Sequence, residues 1–300
     1  MKRTLLFFVA VGIAVSAMAQ SKPYLNHSLN KVKSLKPSAQ ISGEVVGLQM
    51  PNTTVASDAA LAEEVIMTSM YDLQTNASVQ NRIYRYEDGA MVGVATMSHE
   101  ATGYSDRGTG YNYFNGTSWG SMPTSRVEAL RTGWPSYAPL GVNGEIIVSH
   151  ASGTAPLYVN RRSTRGTGAW TQTELAAPAG AAGLLWPRMV TAGTDHMTVH
   201  IFALTSPTGN GGVVWNDMDG ALVYNRSLDG GDTWDGWIQM DGMTSAEYLS
   251  FGGDAYAWAE PRGNTLAFVV GDSFNDQFIM KSTDNGDTWT KTIVWDCPFD

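Results

Sequence analysis

A spaced repeat constrains this chain more than any other feature. Trp119, Trp170, Trp234 and Trp289 each close a similar segment, at intervals of 51, 64 and 55 residues. Units of this length bury their apolar faces by stacking on neighbours, as propeller blades and solenoid repeats do. Two of the units end in nearly identical octets, Ser227-Leu228-Asp229-Gly230-Gly231-Asp232-Thr233-Trp234 and Ser282-Thr283-Asp284-Asn285-Gly286-Asp287-Thr288-Trp289. The octet ending at Trp170 keeps Ser163 and Trp170. The one ending at Trp119 keeps Gly116 and Trp119, with Ser118 in the threonine's place.

The octet has a structural logic. A short carboxylate at Asp229 or Asp284 can accept N–H bonds inside its own turn, and Gly231 or Gly286 permits a backbone conformation that other residues resist. The tryptophan then packs back between strands. Asp229, Asp232 and Asp235 lie close together but lack the ligand spacing of a calcium loop, and Asn216-Asp217-Met218-Asp219-Gly220 reads as a polar hairpin tip. His196 and His200 are spaced four apart across a turn and a strand, with no third zinc ligand in view. No metal and no cofactor is expected.

Strands precede each tryptophan. The first element of each unit is a short aromatic or proline-bearing strand: Arg82-Ile83-Tyr84, Trp134-Pro135-Ser136-Tyr137, Trp186-Pro187-Arg188-Met189 and Trp258-Ala259-Glu260-Pro261. A turn and an apolar strand follow, as in Asp88-Gly89 before Met91-Val92-Gly93-Val94 and Asn143-Gly144 before Ile146-Ile147-Val148, where both turn residues are expected at positive φ. A third strand runs into the octet and a fourth leaves it. The reading is an all-β propeller of four-stranded antiparallel blades, four of them visible, with an additional strand from Val65 to Leu73.

Composition agrees and narrows the partners. Charged residues make up 16% of the chain, while glycine and aromatic residues are plentiful, as in a sheet protein with many tight turns. The formal charge of −9 excludes nucleic acid as a natural partner. Cys297 is the single cysteine, so no internal disulfide can form. At the start, Lys2 and Arg3, the apolar run Thr4 to Ser16 and the small-residue pattern Ala17-Met18-Ala19 read as a signal peptide, residues 1–19, cleaved after Ala19. Residues 20–45 read as a flexible leader, and 46–300 as the propeller. No later apolar stretch is long enough to span a bilayer, so a secreted or cell-surface location is expected.

The two full octets match S-x-D-x-G-x-T-W, and in this the chain resembles the sialidase-like propellers with BNR repeats and Asp-box turns, of secreted bacterial type. The resemblance implies peripheral Asp-boxes, here Ser227, Asp229, Gly231, Trp234, Ser282, Asp284, Gly286 and Trp289, and a site at the propeller centre built from inner-strand ends. It also implies that Arg82, which opens Arg82-Ile83-Tyr84, binds a substrate carboxylate, although Tyr84 stands where the family has proline. Asp106, in Ser105-Asp106-Arg107-Gly108, falls where the family places an acid/base aspartate, and Glu260-Pro261 resembles the Glu-Pro whose glutamate assists the nucleophile. Arg188, after Trp186-Pro187, is expected at the axis as well. A cluster of Arg82, Arg188, Trp134, Trp186 and Trp258 would suit an anionic sugar, with arginine on the carboxylate and aromatic faces on the ring.

The chain departs from the family in one serious way. The last arginine and the nucleophilic tyrosine belong to blades beyond the fourth, and the sequence given ends at Asp300. Four blades fall short of the six usual in that fold, so either more chain follows or a smaller ring closes. Two functions stay open: a glycan-directed propeller taking an acidic sugar at its central pocket, sialidase-like if catalytic, or a non-catalytic scaffold for a surface protein. Convergence of Arg82, Asp106 and Glu260 at the axis would separate them.

Overall fold

The computed structural model describes residues 63–78, 81–272 and 275–298. The expected signal peptide, the leader and residues 46–62 lie outside them. The unit that starts at Glu63 is an all-β propeller. Its first blade is β1 (Ile83–Arg85), β2 (Met91–Met97) and β3 (Gly108–Phe114). The second is β4 (Gly133–Leu140), β5 (Gly144–His150), β6 (Leu157–Arg162) and β7 (Thr171–Leu175). The third is β8 (Leu184–Ala192), β9 (Thr198–Thr205) and β10 (Leu222–Ser227). The fourth is β11 (Tyr256–Trp258), β12 (Leu266–Val270), β13 (Gln277–Ser282) and β14 (Thr290–Trp295). Within each blade consecutive strands pair antiparallel, in chain order.

Two expectations need correction. In the first and third blades the fourth strand is reduced to single bridges, Phe114 to Trp119 and Tyr224 to Ile238. The stretch from Val65 to Leu73 forms no strand; it lies on the first blade, with Met70 N–H donating to Ser98 O at 2.8 Å and Asn112 Nδ2 donating to Ile66 O at 2.6 Å. Gly93 makes this contact possible, because a Cβ there would meet the Ile66 side chain at 2.7 Å.

Strand alternation sends one face of each sheet to each neighbour. Val92 and Val94 meet Tyr137 and Ile147 between the first and second blades. Ile146, Val148 and Val159 meet Met189, Val199 and Ile201 between the second and third. Phe202, Leu204 and Tyr224 meet Phe268, Phe278 and Met280 between the third and fourth. Each such side chain contributes roughly 1.5–3 kcal/mol when buried. The far face of the fourth blade is uncovered, leaving Val269, Ile279 and Trp295 exposed.

The octets fold alike. Ser227 Oγ donates to Asp229 Oδ1 at 2.8 Å and accepts the Gly231 N–H at 2.7 Å, while Thr233 donates to Asp229 from its amide at 2.8 Å and from its hydroxyl at 2.6 Å. Ser282, Asp284, Gly286 and Thr288 repeat these bonds at 2.7, 2.8, 2.9 and 2.5 Å. The threonine hydroxyl, then its amide and the serine hydroxyl, hold both aspartates down to about 2.

Each full octet is gripped by an arginine from the preceding blade. Arg161 donates to Gly230 O at 2.9 Å and pairs with Asp232 at 2.8 Å. Arg226 donates to Asn285 O at 2.9 Å and pairs with Asp287 at 2.6 Å.

Candidate functional site at the axis

The inner strands β4 and β8 each carry a bulge at a tryptophan. Their registers shift between Gly133 and Ser136 and between Leu185 and Arg188, and Trp134 and Trp186 adopt left-handed backbone, with φ of 52° and 48°. Such a conformation is costly for a bulky residue, and a bulge re-aims the side chains beside it. The bulged amides are satisfied from the preceding blade: Trp134 N–H donates to Thr96 Oγ1 at 2.9 Å and Trp186 N–H to His150 Nδ1 at 2.8 Å. In the fourth blade the equivalent residue is Asp254, with φ of 63°. This corrects the alignment of Trp258 with the other two tryptophans: Trp258 stands four residues further along β11.

Two residues past each bulge the strands converge on the axis, at Ser136, Arg188 and Tyr256, which pair with Val148, Phe202 and Val270. Arg82 completes the set, since its carbonyl accepts the Val94 N–H at 2.8 Å. Segment 74–78 joins the first blade to the fourth at this level. Ser78 N–H donates to Asp254 O at 2.9 Å and its hydroxyl to Tyr256 O at 2.7 Å, while Thr75 Oγ1 and Asn76 N–H donate to Asp254 Oδ2 at 2.8 and 2.7 Å. Arg188 spans the junction, donating to Ser78 O at 2.8 Å and Tyr256 O at 3.3 Å, and pairing with Asp254 Oδ1 at 2.9 Å. Arg82 Nη2 donates to Gln74 O.

The resulting centre holds more positive than negative charge. Arg82, Arg188 and Arg107 meet around His150, against which Asp254 sets one carboxylate. Burial, then Arg188, pulls the Arg82 guanidinium down to about 9, partly offset by Asp254. Burial, then Arg107, Arg188 and Arg82, holds His150 down to about 3, so it is neutral at neutral pH. Because His150 Nδ1 accepts the Trp186 amide, its proton sits on Nε2. Four N–H groups here are buried without a hydrogen-bond partner: Arg82 Nη1, Arg188 Nη1, Trp134 Nε1 and Trp186 Nε1. Unpaired buried donors are uncommon and each calls for an explanation.

Sequence reasoning missed Arg107, which it names only as a neighbour of Asp106. It is buried, donates from Nε to Thr132 O at 2.8 Å, and lies over the rings of Tyr71 and Trp134, 4.9 and 5.0 Å from their centroids. No signal in the linear pattern marks it, because the ring and carbonyl it meets at Trp134 and Thr132 lie at the start of the following blade.

The other expected site residues are placed as follows. Trp134 is stacked on His150, with centroids 5.0 Å apart, and Trp186 lies against Gly253, where a Cβ would approach the indole to 3.0 Å. Trp258 belongs to the packing of the third and fourth blades, 4.6 Å from Phe202 and donating to Arg188 O at 3.0 Å. Asp106 sits in the loop between β2 and β3, at the end of the blade where Arg82 lies. Its oxygens accept the Ser98 hydroxyl, the His99 amide at 2.8 Å and the Glu100 amide at 3.4 Å, and the Ser98 hydroxyl leads in holding it below the usual carboxylate range. Glu260 is exposed beyond the other end of β11, four residues past Tyr256 or roughly 13 Å of extended chain. There it reinforces the burial that raises the Tyr84 hydroxyl. Arg82 and Arg188 come together; Asp106 and Glu260 do not join them. Among the described residues no group of three or more His, Cys, Asp or Glu is placed to hold a metal ion, and no helix is long and apolar enough to cross a membrane.

Fold and site together define a β-propeller with a basic, donor-rich axis. No family model matches the chain. It is similar to the xyloglucanase Xgh74A of Acetivibrio thermocellus, 33% identical over 94 residues, a match spanning 28% of this chain and only 11% of that enzyme. Among solved structures it is similar to Zg3597, a family 117 glycoside hydrolase of Zobellia galactanivorans, with a TM-score of 0.47, 10% identity and 77% of this chain and 76% of that one covered. It is also similar to the six-bladed Aleuria aurantia lectin, with a TM-score of 0.45, 13% identity and 70% and 58% coverage. Trypanosoma rangeli sialidase gives a TM-score of 0.45 and 16% identity, covering 70% of this chain and 37% of the sialidase.

Proposed function

We propose that this chain is an exported glycan-binding propeller that takes the carboxylate of an acidic sugar at Arg82 and Arg188 and does not cleave it. The observation that carries the reading is the buried surplus of positive charge with guanidinium and indole N–H groups lacking acceptors. A carboxylate supplies both a counter-charge and several lone pairs, and guanidinium groups match its geometry. Half-buried Arg82 and Trp186 are the edge through which a ligand reaches the centre. Cleavage is disfavoured because the expected acid/base aspartate and the glutamate that would assist a nucleophile would have to meet at the arginines. Here Asp106 is bound up by its own loop, held low where a general acid must be held high, and Glu260 stands at the opposite end of the inner strand. In this reading the octets are Asp-box turns with a structural role, and residues 1–19 direct export.

The test is calorimetric titration with N-acetylneuraminic acid, galacturonic acid and galactose. The acidic sugars are expected to bind and galactose not to. Arg82→Gln should weaken the acidic sugar by about 10- to 100-fold, the loss of one charge-assisted contact, while the melting curve is kept. Equal binding of galactose, or unchanged affinity in Arg82→Gln, would overturn the reading. A protein-interaction scaffold is the second reading, favoured by the uncovered row of Val269, Ile279 and Trp295, and it gains if no acidic sugar binds.

A further inference from the structure

A cavity lies away from the axis, in the cleft between the second and third blades. It measures about 570 Å³, within the range of ligand pockets. Its floor and walls come from the turn between β4 and β5, the outer end of β6, and the octet that closes the third blade. Leu140, Val142 and Met197 supply apolar surface, and Arg161 and Asp232 supply polar groups.

The charged groups that face this cleft are already engaged. Arg161 pairs with Asp232 at 2.8 Å, while the oxygens of Asp229 are taken by Ser227 and Thr233. Arg162, the next residue of β6, points to the opposite face of the sheet, where it pairs with Glu145 and lies over Tyr111 and Trp170. An anionic ligand would therefore find no free counter-charge. What stays open is hydrogen-bonding capacity: Arg161 Nε is buried without a partner, and the Asp232 side chain is 71% exposed with lone pairs to spare. A ligand that fits must offer an acceptor to the Arg161 guanidinium, a donor to the carboxylate and an apolar face to Met197 and Leu140. Hydroxyl groups on a sugar ring do the first two at once, and the ring's C–H face does the third.

We propose that the cleft between the second and third blades is a second saccharide site, selective for a neutral glycosyl unit and independent of the axial arginines. Its occupant touches the octet itself, so the turn that pins the third blade also forms part of the binding wall.

The test uses protein labelled with ¹³C at the methionine methyls, titrated separately with the methyl glycosides of glucose, galactose and fucose. The Met197 resonance is assigned by Met197→Leu. At least one glycoside is expected to move that resonance saturably, to do so equally in Arg82→Gln, and to bind about tenfold more weakly in Arg161→Ala. Asp232→Ala, on the exposed side of the pair, serves where Arg161→Ala unfolds the protein. The proposal is overturned if no glycoside shifts Met197 up to about 50 mM, well beyond the millimolar range of weak ligands. It is also overturned if the shift survives both cleft substitutions, or if it vanishes in Arg82→Gln, which would assign the binding to the axis. Failure of the axial reading leaves these outcomes unchanged.

Discussion

His150 and His200 are polar residues whose positions are set by what they accept or donate. His150 takes the amide of a bulged tryptophan, and His200 bridges Tyr224 at 2.7 Å and Asn285 of the last octet at 3.3 Å. Burial leads in lowering both, to about 3 and about 4. The unfolded chain binds protons near the ordinary value of about 6.5, whereas the folded chain resists them until well below it. Stability is therefore level above that value and falls as the pH drops through 6 and 5, by up to about 1.4 kcal/mol per pH unit for each histidine. The aspartates of the octets, held at about 2, add their own loss only below the ordinary carboxylate value. Urea midpoints at pH 7, 6 and 5 should decline in steps. A flat profile over that interval would mean that neither ring is kept neutral by the fold.

The octet turns were legible in the sequence because the bonds that close them are local: serine, aspartate, glycine and threonine satisfy one another within seven residues. Gly286 also makes a long-range contact. Its φ is +86°, and a Cβ there would stand 2.4 Å from Tyr224 Oη on the neighbouring blade. Gly286→Ala is expected to cost about 1–3 kcal/mol from backbone strain and crowding, lowering the melting temperature, while Gly116→Ala, which has φ of +96° but open space around it, should cost less. Equal losses at the two positions would show that the interblade contact contributes nothing. The hairpins were legible in place but not in type. At Glu87-Asp88-Gly89 only Gly89 has positive φ, and Tyr86 N–H bonds Ala90 O at 2.8 Å, so the loop has three residues and not the two expected of Asp-Gly. Turn chemistry names a reversal; the strand twist around it chooses the geometry.

Across the whole molecule, four blades meet at the axis because segment 74–78 ties the first to the fourth through Asp254. The propeller itself was readable from the repeat spacing together with the strand and turn pattern of each unit, since all-β repeats of this kind have few other ways to bury their faces. Arg82 was expected at the axis from the resemblance and Arg188 from its place in its own unit, and the two guanidinium groups lie near one another. Arg107, Asp254 and segment 74–78 were not expected there, because each depends on contacts between blades that a linear pattern does not encode; Asp254 pairs with residues 178 and 179 positions earlier. Local structure sets Asp106 and Glu260 apart from the arginines, the first held by its own loop and the second beyond the other end of β11. The central claim, that the axis is a carboxylate site, is met most directly by a crystal structure of the protein soaked with galacturonic acid. The account places the sugar carboxylate within hydrogen-bond distance of Arg82 Nη1 and Arg188 Nη1. A sugar bound elsewhere with those two atoms still unpaired, or a water-filled axis at saturating sugar, would contradict it.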